Sequence, residues 1–459
     1  MRAPCGGGSS DDTIARINLV RIAVGLVLLH RYASNAFALY LLPSTTEQVL
    51  WVALQLTSAV LLAIGLATPL AAMLLLLVQQ GADRALLSWS LGSITLQMVL
   101  MPLALLPAGT RYSLDARFWA RAPVRALYRL WGDPTPDRAA TLRLLALLSY
   151  GFIGVSAAQF HWRDPLWRTG VSQAFIFTNP YFSPNAATFQ SVIDRWPVVA
   201  MLTSRGITLL MLVWEAGMLP LALLTTVGRR FVMVHGLLFF AFSAALLNLA
   251  WLPWLEMVLW ALIFWAGPPV TLGMLRSGGD RRLAAALGIY AVGLAGASVA
   301  LPIVGSANPV AHISARIGAQ NVDVFNYLDL RTNESYTTVA RLGPDGQEVL
   351  LPFNAADGRR LAWHFSERTY YGISLPWRRQ RIGKRGLCWS DELDQPWMEQ
   401  VVDLDRAFGA QRSARYRVRF YAESPRSVGV EPPGLTPSRT AETCQVVYDA
   451  TSKTLMAER

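Results

Sequence analysis

Apolar residues fill the first two thirds of this chain in long blocks separated by short polar links, and the last third changes character. A hydrocarbon core about 30 Å thick asks for about 20 mostly apolar residues per helix. Nine stretches approach this: residues 17–33, 48–66, 68–82, 90–108, 141–160, 206–226, 231–249, 251–268 and 283–304. "GLATPL", a tight turn with Gly65 and Pro69, parts the second from the third. The third is short, and tilt or a partly re-entrant path would accommodate it. From about residue 306 the pattern is that of a soluble domain. "SYTTVARLGPDGQEVLLPF" alternates around the turn Gly343–Gly346, a hairpin signature. "DQPWMEQVVDLDRAFGA" reads as a helix with Asp394 as N-cap and Gly409 as stop, while "ARYRVRFYAES" and "ETCQVVYDAT" alternate like strands. The expected fold is a polytopic α-helical membrane protein of about nine spans, with a leading segment 1–16, a bundle 17–305, and a β-rich α+β domain 306–459.

Composition agrees with the pattern. The chain is 53% hydrophobic and 15% charged, with a mean hydropathy of +0.33, whereas soluble domains carry about 25% charged residues. The net charge of +11 is almost all arginine, lysine occurring only at Lys384 and Lys453. Many arginines stand at the ends of apolar runs, where topology explains them better than nucleic-acid binding does, so no nucleic-acid partner is expected. With the N-terminus inside, Arg2, Arg16, the series Arg111 to Arg138, Arg229, Arg230, Arg276, Arg281 and Arg282 all fall inside. Fewer fall outside, among them Arg84, Arg163, Arg168, Arg195 and Arg205. An odd span count then puts the C-terminal domain outside the cytoplasm, in a bacterial inner or plasma membrane, with membrane lipids as obligatory partners. The link 109–140 spaces arginines and aromatics as a cytoplasmic interfacial helix would. "MRAPCGGGSSDDTIAR" has no apolar stretch before its small residues, so no cleavable signal peptide is expected, and Cys5 reads as an ordinary thiol.

Ionisable groups inside spans are costly and mark candidate sites. Arg21, His30, Glu215, His235 and Glu256 stand out. Arg21 and His235 sit near the inner ends of their spans and read as structural, an arginine serving a helix end or a histidine donating to a carbonyl. Towards the outer face lie His30, Arg31 and Glu256, with Glu215 near the middle of "MLVWEAGMLP". They share that side with a dense polar-aromatic knot, "AAQFHWRDPLWRTGVSQAF", which carries His161, Trp162, Arg163, Asp164, Trp167 and Arg168. A histidine near a carboxylate suits general-base work, which nominates His161, Asp164, His30 and Glu215 as catalytic candidates. Trp162, Trp167, Arg31 and Glu256 are candidates for holding a bound molecule. Equally, Trp162 and Trp167 are the residue type that anchors at a membrane interface, and "DPLW" suits an ordinary turn.

"HWRDPLWRTGVSQAF", "RWPVVAMLTSRGITLLMLVWEAGMLPLALL" and "GRRFVMVHGLLFFAFSAALLNLAWLPWLEMVLWALIFW", with "NLVRIAVGLVLL" before them, together resemble the HTTM, or vitamin K-dependent gamma-carboxylase-like, membrane family. The likeness spans most of residues 15–270. It implies a multi-span bundle with an extracytoplasmic site, a reduced quinone as cofactor, and a quinone, lipid or secreted peptide or protein as substrate. Glu215 then matches the family's mid-helix glutamate, His235 its histidine, and Trp167 with Gly170 its outer link. Where the family has paired lysines this chain has His161 and Trp162, which points away from classical gamma-glutamyl carboxylation.

In the tail, Cys388 and Cys444 are the only cysteines, and outside the cytoplasm an even pair suggests a disulfide, the alternative being two buried thiols. Arg378, Arg379, Arg381, Lys384 and Arg385 form a basic run suited to a solvated loop or to an acidic or lipid partner. His312 and His364 lie far from other ligand types, so no metal site is expected. No phosphate-cradling glycine motif occurs. Two functions remain open: a carboxylase-like membrane enzyme, or a non-catalytic scaffold whose tail binds a partner protein. A transporter, lacking any visible internal repeat, ranks behind both.

Overall fold

The computed structural model describes residues 8–271 apart from 42–44, 86–90, 107–108, 110, 119–127, 129–133, 179–182, 184, 248 and 250. It also describes 285, 288–290, 292–293 and 296, and then 335–351, 388–407, 415–423 and 440–456. Among the described residues, twelve helices occupy the first part: α1 Gly8–Leu41, α2 Thr46–Ile64, α3 Thr68–Ala85, α4 Leu91–Leu105, α5 Leu114–Phe118, α6 Pro136–Arg163, α7 Pro165–Thr169, α8 Ser172–Thr178, α9 Ala186–Arg195, α10 Pro197–Leu224, α11 Thr226–Leu246 and α12 Leu252–Trp260. A π-turn, Ala261–Trp265, continues α12. Among the described residues, five helices are long and apolar enough to cross a membrane: α1, α2, α6, α10 and α11. Shorter apolar helices cover Thr68–Gln79, Gly92–Leu105 and Leu252–Trp265. Eight of the nine expected stretches thus fall on apolar helices, and most of the ninth, 283–304, lies outside the described residues.

Helix ends follow local chemistry. Thr45 and Gln48 cap α2 reciprocally, side chain to backbone N–H in both directions, and Gly65 closes it in the left-handed region (φ 69°). Thr135 caps α6, with Pro136 in its first turn. Helices α1 and α6 run well beyond the expected 17–33 and 141–160, because Gly8–Arg16 and Pro136–Ala140 continue the helical path before the apolar run begins. The most apolar window of α6 is 83% buried, against 22% to 50% for the other four long helices, so α6 is the central pillar. It packs on α1, α4, α10 and the π-turn that follows α12.

Residues 119–127 and 129–133 of the link 109–140, expected as an interfacial helix, lie outside the described residues. The described part of the link includes α5, five residues whose Asp115 is buried and accepts the N–H groups of Ala67 (2.9 Å) and Thr68 (3.3 Å) and the Tyr128 hydroxyl. Asp115 therefore caps α3 from a distant segment.

In the tail, strands β1 Ser335–Leu342, β2 Glu348–Leu350, β3 Arg415–Glu423, β4 Thr440–Asp449 and β5 Thr454–Met456 form one antiparallel sheet, ordered β2-β1-β3-β4-β5. The hairpin around Gly343–Gly346 is present, with Gly346 at φ 79°. Helix α13, Asp391–Ala407, shares a core with the sheet through Trp397, Met398, Val401, Val339, Val418 and Phe420. It begins a turn earlier than expected: Asp394 lies inside it and accepts the Ser390 N–H at 2.6 Å, so it braces the helix start without being the cap. Cys388 and Cys444 are disulfide-bonded, their Cα atoms 5.2 Å apart. His312, His364 and the Arg378–Arg385 run lie outside the described residues.

Candidate functional site

The knot folds back on the end of α6. Asp164 is the pivot: its backbone N–H closes α6 on Phe160 and His161, and its carboxylate accepts the N–H of Leu166 (2.8 Å) and Trp167 (3.4 Å) to start α7. An aspartate followed by proline at the first helical position is a strong N-terminal signal. Helix α7 then turns at Gly170, φ 77°, where a Cβ would stand 2.6 Å from Arg205. Serine and threonine of α10 pin this turn, Ser204 donating to the Gly170 carbonyl at 2.7 Å and Thr208 at 3.4 Å. Ser172 meets Thr208 at 3.1 Å, and Ser204 accepts the Ala174 N–H at 3.1 Å. The result lays Trp167 flat over His161, ring centroids 3.6 Å apart and planes within 9°.

Beneath that lid, His161 Nδ1 meets Glu215 Oε2 at 2.9 Å, both side chains buried. Helices α6 and α10 run antiparallel here, since Gly154 faces Glu215 and Gly151 faces Leu219. Helical side chains lean towards their own N-terminus, so His161 and Glu215 reach towards each other across the seam. The seam is tight because Gly154 has no side chain: a Cβ there would lie 2.9 Å from the Glu215 carbonyl oxygen.

A second pair lies deeper on α6. The Tyr150 hydroxyl donates to Glu256 Oε1 at 2.7 Å. Tyr150, Trp214, Phe240 and Trp260 form a four-ring cluster in which every ring contacts the other three, centroids 5.1–6.3 Å apart. The Trp260 N–H is spoken for by the Met233 carbonyl, 3.0 Å away. Trp214 Nε1 and His235 Nε2, by contrast, are buried without a hydrogen-bond partner among the described residues. Their rings touch, 5.4 Å between centroids, and His235 also stacks on Phe231. His235 therefore does not donate to a carbonyl through Nε2.

The opposite end of the bundle holds two arginines in a different manner. Arg21 donates to the carbonyls of Leu62 (2.5 Å), Ala63 (3.0 Å) and Tyr112 (2.7 Å), closing α2 as a helix-end partner. Arg143 donates to Leu262, Ile263, Gly267 and Pro268, at 2.6 to 3.2 Å, and so gathers open carbonyls of the π-turn and of the residues that follow it.

Of the residues nominated from sequence, His161, Glu215, Asp164 and Trp167 come together. Glu256 lies with Tyr150. His30 stands apart, exposed, with its ring 4.8 Å from Trp251. Arg31 is fully buried, its guanidinium 5.9 Å from the Tyr32 ring. Trp162 is 65% exposed and turns away from His161, as an interfacial anchor would. Tyr150, Trp214, Gly154 and Arg143 were not singled out. Arg143 lies within the expected fifth span, and the small pair Gly151 and Gly154 is a signal for close helix approach. No family model, curated protein or solved structure matches this chain.

Proposed function

We propose that this chain is a membrane-embedded acid–base enzyme of the carboxylase-like class, acting on a quinone, lipid or secreted peptide. His161 is the base and Glu215 holds its ring. The buried His161–Glu215 contact at 2.9 Å under the Trp167 ring is the observation that carries this reading. A carboxylate on Nδ1 sets the tautomer that leaves Nε2 as the basic nitrogen, and it stabilises the imidazolium formed when a proton arrives. The reduced quinone implied by the family resemblance fits the residues present in one respect. Trp214 Nε1 and His235 Nε2, orphaned on touching rings, are the kind of groups a ring oxygen would satisfy. Bound there, such a cofactor would supply electrons and an acidic hydroxyl. The proposed topology keeps nine spans with the N-terminus inside and the tail outside a bacterial inner or plasma membrane. The Cys388–Cys444 bond supports that placement, since disulfides persist in oxidising compartments.

The deciding experiment pairs mass spectrometry of organic extracts from the purified protein with two substitutions, His161→Gln and Glu215→Gln. A co-purified quinone or lipid is expected, together with variants that fold and melt like the wild type but leave that molecule unconverted. An empty wild-type preparation, with His161→Gln lost as unfolded protein, would overturn the enzyme reading. It would favour the second one, a non-catalytic scaffold, which draws on the complete hydrogen-bond latch of Asp164, Ser204 and Thr208.

A further inference from the structure

We propose that Arg168 and Arg205 hold the phosphate of an anionic phospholipid beside the Trp167 lid, so that the molecule presented to His161 is a phosphorylated lipid rather than a secreted peptide. The binding site belongs to the surface of the unliganded protein. Its use as the handle of a substrate rests on the acid–base reading given above. Arg205 stands where a cation is hard to place. With a rise of about 1.5 Å per residue, it lies about 12 Å along α10 from Pro197. Its neighbours Ser204 and Thr208 face inward to the Gly170 turn, but Arg205 is exposed on the outer surface of the bundle. On that surface Leu202, three residues before it, and Leu209, four after, are 62% and 61% exposed. This stripe is apolar at helical spacing, the face a span turns to acyl chains. Charged residues within spans nearly always face the bundle interior or a cavity, and one that faces lipid needs an anion that the lipid supplies. Helical side chains lean towards their own N-terminus, here the end at which α7 sits. The guanidinium is thereby carried up towards the headgroups while the apolar stripe continues below it.

Arg168 supplies the second cation. It lies on the exposed side of α7 with Pro165 and Thr169, while Leu166 and Trp167 are buried on the other side, Trp167 over His161. Both arginines flank Gly170: Arg168 is two residues before it, and a Cβ on Gly170 would stand 2.6 Å from Arg205 Cγ. The missing side chain lets the Arg205 stem lie against the turn. Among the described residues neither guanidinium forms an ion pair. Asp164, the acid of this turn, directs its carboxylate to the N–H groups of Leu166 and Trp167. Two planar forks without a carboxylate match a phosphate, whose oxygens accept from both at once. The apolar stripe selects the source of that phosphate. Neither free phosphate nor an acidic peptide has a chain to lay along Leu202 and Leu209, whereas a phospholipid tail covers them. In the proposed topology this side is also the one where arginine is scarce, so its presence here is not the work of the positive-inside bias.

The test is amide hydrogen exchange over residues 164–172 in the full-length protein in nanodiscs, with phosphatidylglycerol titrated into phosphatidylcholine. Exchange is expected to slow as the anionic lipid settles on α7. Arg205→Gln keeps the stem atoms that lie on Gly170. It should raise the phosphatidylglycerol fraction needed for half protection by about tenfold, the worth of one charge-assisted hydrogen bond. Arg168→Gln should act in the same direction. Arg195→Gln removes an exposed arginine of the same side, one that lies over the Trp196 ring, and should change nothing. Absence of protection by phosphatidylglycerol, or an equal loss in Arg195→Gln, overturns the site. Equal protection by inorganic phosphate or by an acidic peptide, added to nanodiscs of phosphatidylcholine alone, overturns the lipid assignment. If Arg205→Gln does not fold, Arg168→Gln decides by the same measure. His161→Gln should leave the protection intact, so failure of the acid–base reading and failure of the lipid site give different results.

Discussion

The two ends of the helical bundle treat buried polar groups in opposite ways. At one end Arg21 and Arg143 give their N–H groups to backbone carbonyls, three for Arg21 and four for Arg143, and Asp115 accepts two backbone N–H groups and a phenol. At the other, side chains bond each other: His161 with Glu215, Tyr150 with Glu256, while Trp214 Nε1 and His235 Nε2 hold no partner among the described residues. A group saturated by backbone has a fixed task, because helix ends must be closed somewhere in a medium without water. Groups that pair with other titratable groups retain the freedom to gain or lose a proton. The contrast separates structure from chemistry better than depth in the membrane does.

The sharpest way to break this comparison is Arg143→Leu. It leaves four carbonyls in and just after the π-turn without their arginine donor in an apolar setting, and a loss of about 3 kcal/mol or more is expected. The measurement is the melting of the solubilised protein by tryptophan fluorescence. Glu215→Gln keeps shape and one hydrogen bond, so its cost should be well below that of Arg143→Leu. Equal losses would mean that both ends are structural and would remove the distinction.

A smaller effect is expected at the seam. Gly154→Val introduces atoms where a single Cβ already stands 2.9 Å from the Glu215 carbonyl oxygen. Helix α6 must withdraw from α10, at about 1–3 kcal/mol for overpacking, and His161 loses reach of Glu215. The expected signature is activity lost out of proportion to stability, read as turnover beside melting temperature. A variant that melts low but keeps full activity per folded molecule would show that the 2.9 Å contact has no chemical role.

The apolar helices were legible because a hydrophobic run is itself the physical cause of such a helix: eight runs coincide with apolar helices, and among the described residues five of these are long enough to cross a membrane. Arg21 at a helix end was legible for the same reason: a lone arginine in a span must find carbonyls. The partnership of Glu256 with Tyr150 was not, since tyrosine bears no ionisable signal in a hydropathy pattern. His30 was grouped with the knot by depth alone, yet neighbouring positions on a helix face about 100° apart, and it turns to Trp251. Asp164 was read as chemical although the Asp164–Pro165 pair spells a helix start. In the link, the cap of α3 by Asp115 spans 47 residues or more, beyond any local pattern.

The tail supplies the same contact types in water, and there the expected effect is smallest. Glu348 on β2 meets Arg417 and Arg419 of β3. The Arg419 guanidinium, with Arg417 beside it, holds the Glu348 carboxyl below its ordinary value of 4.5. A carboxylate held low in the folded state stabilises the fold above the unfolded value, and that contribution disappears as the pH falls through the folded value. Glu348→Gln should therefore cost less than about 1 kcal/mol near neutrality, since water competes for both partners, and nothing once the pH is well below 4.5. Chemical denaturation of the full-length protein followed at the tail, at two pH values and two salt concentrations, measures it. A loss at neutral pH as large as that of Arg143→Leu would show that solvent screening does not set these energies, and the contrast between saturated and exchangeable polar groups would then need another cause than burial.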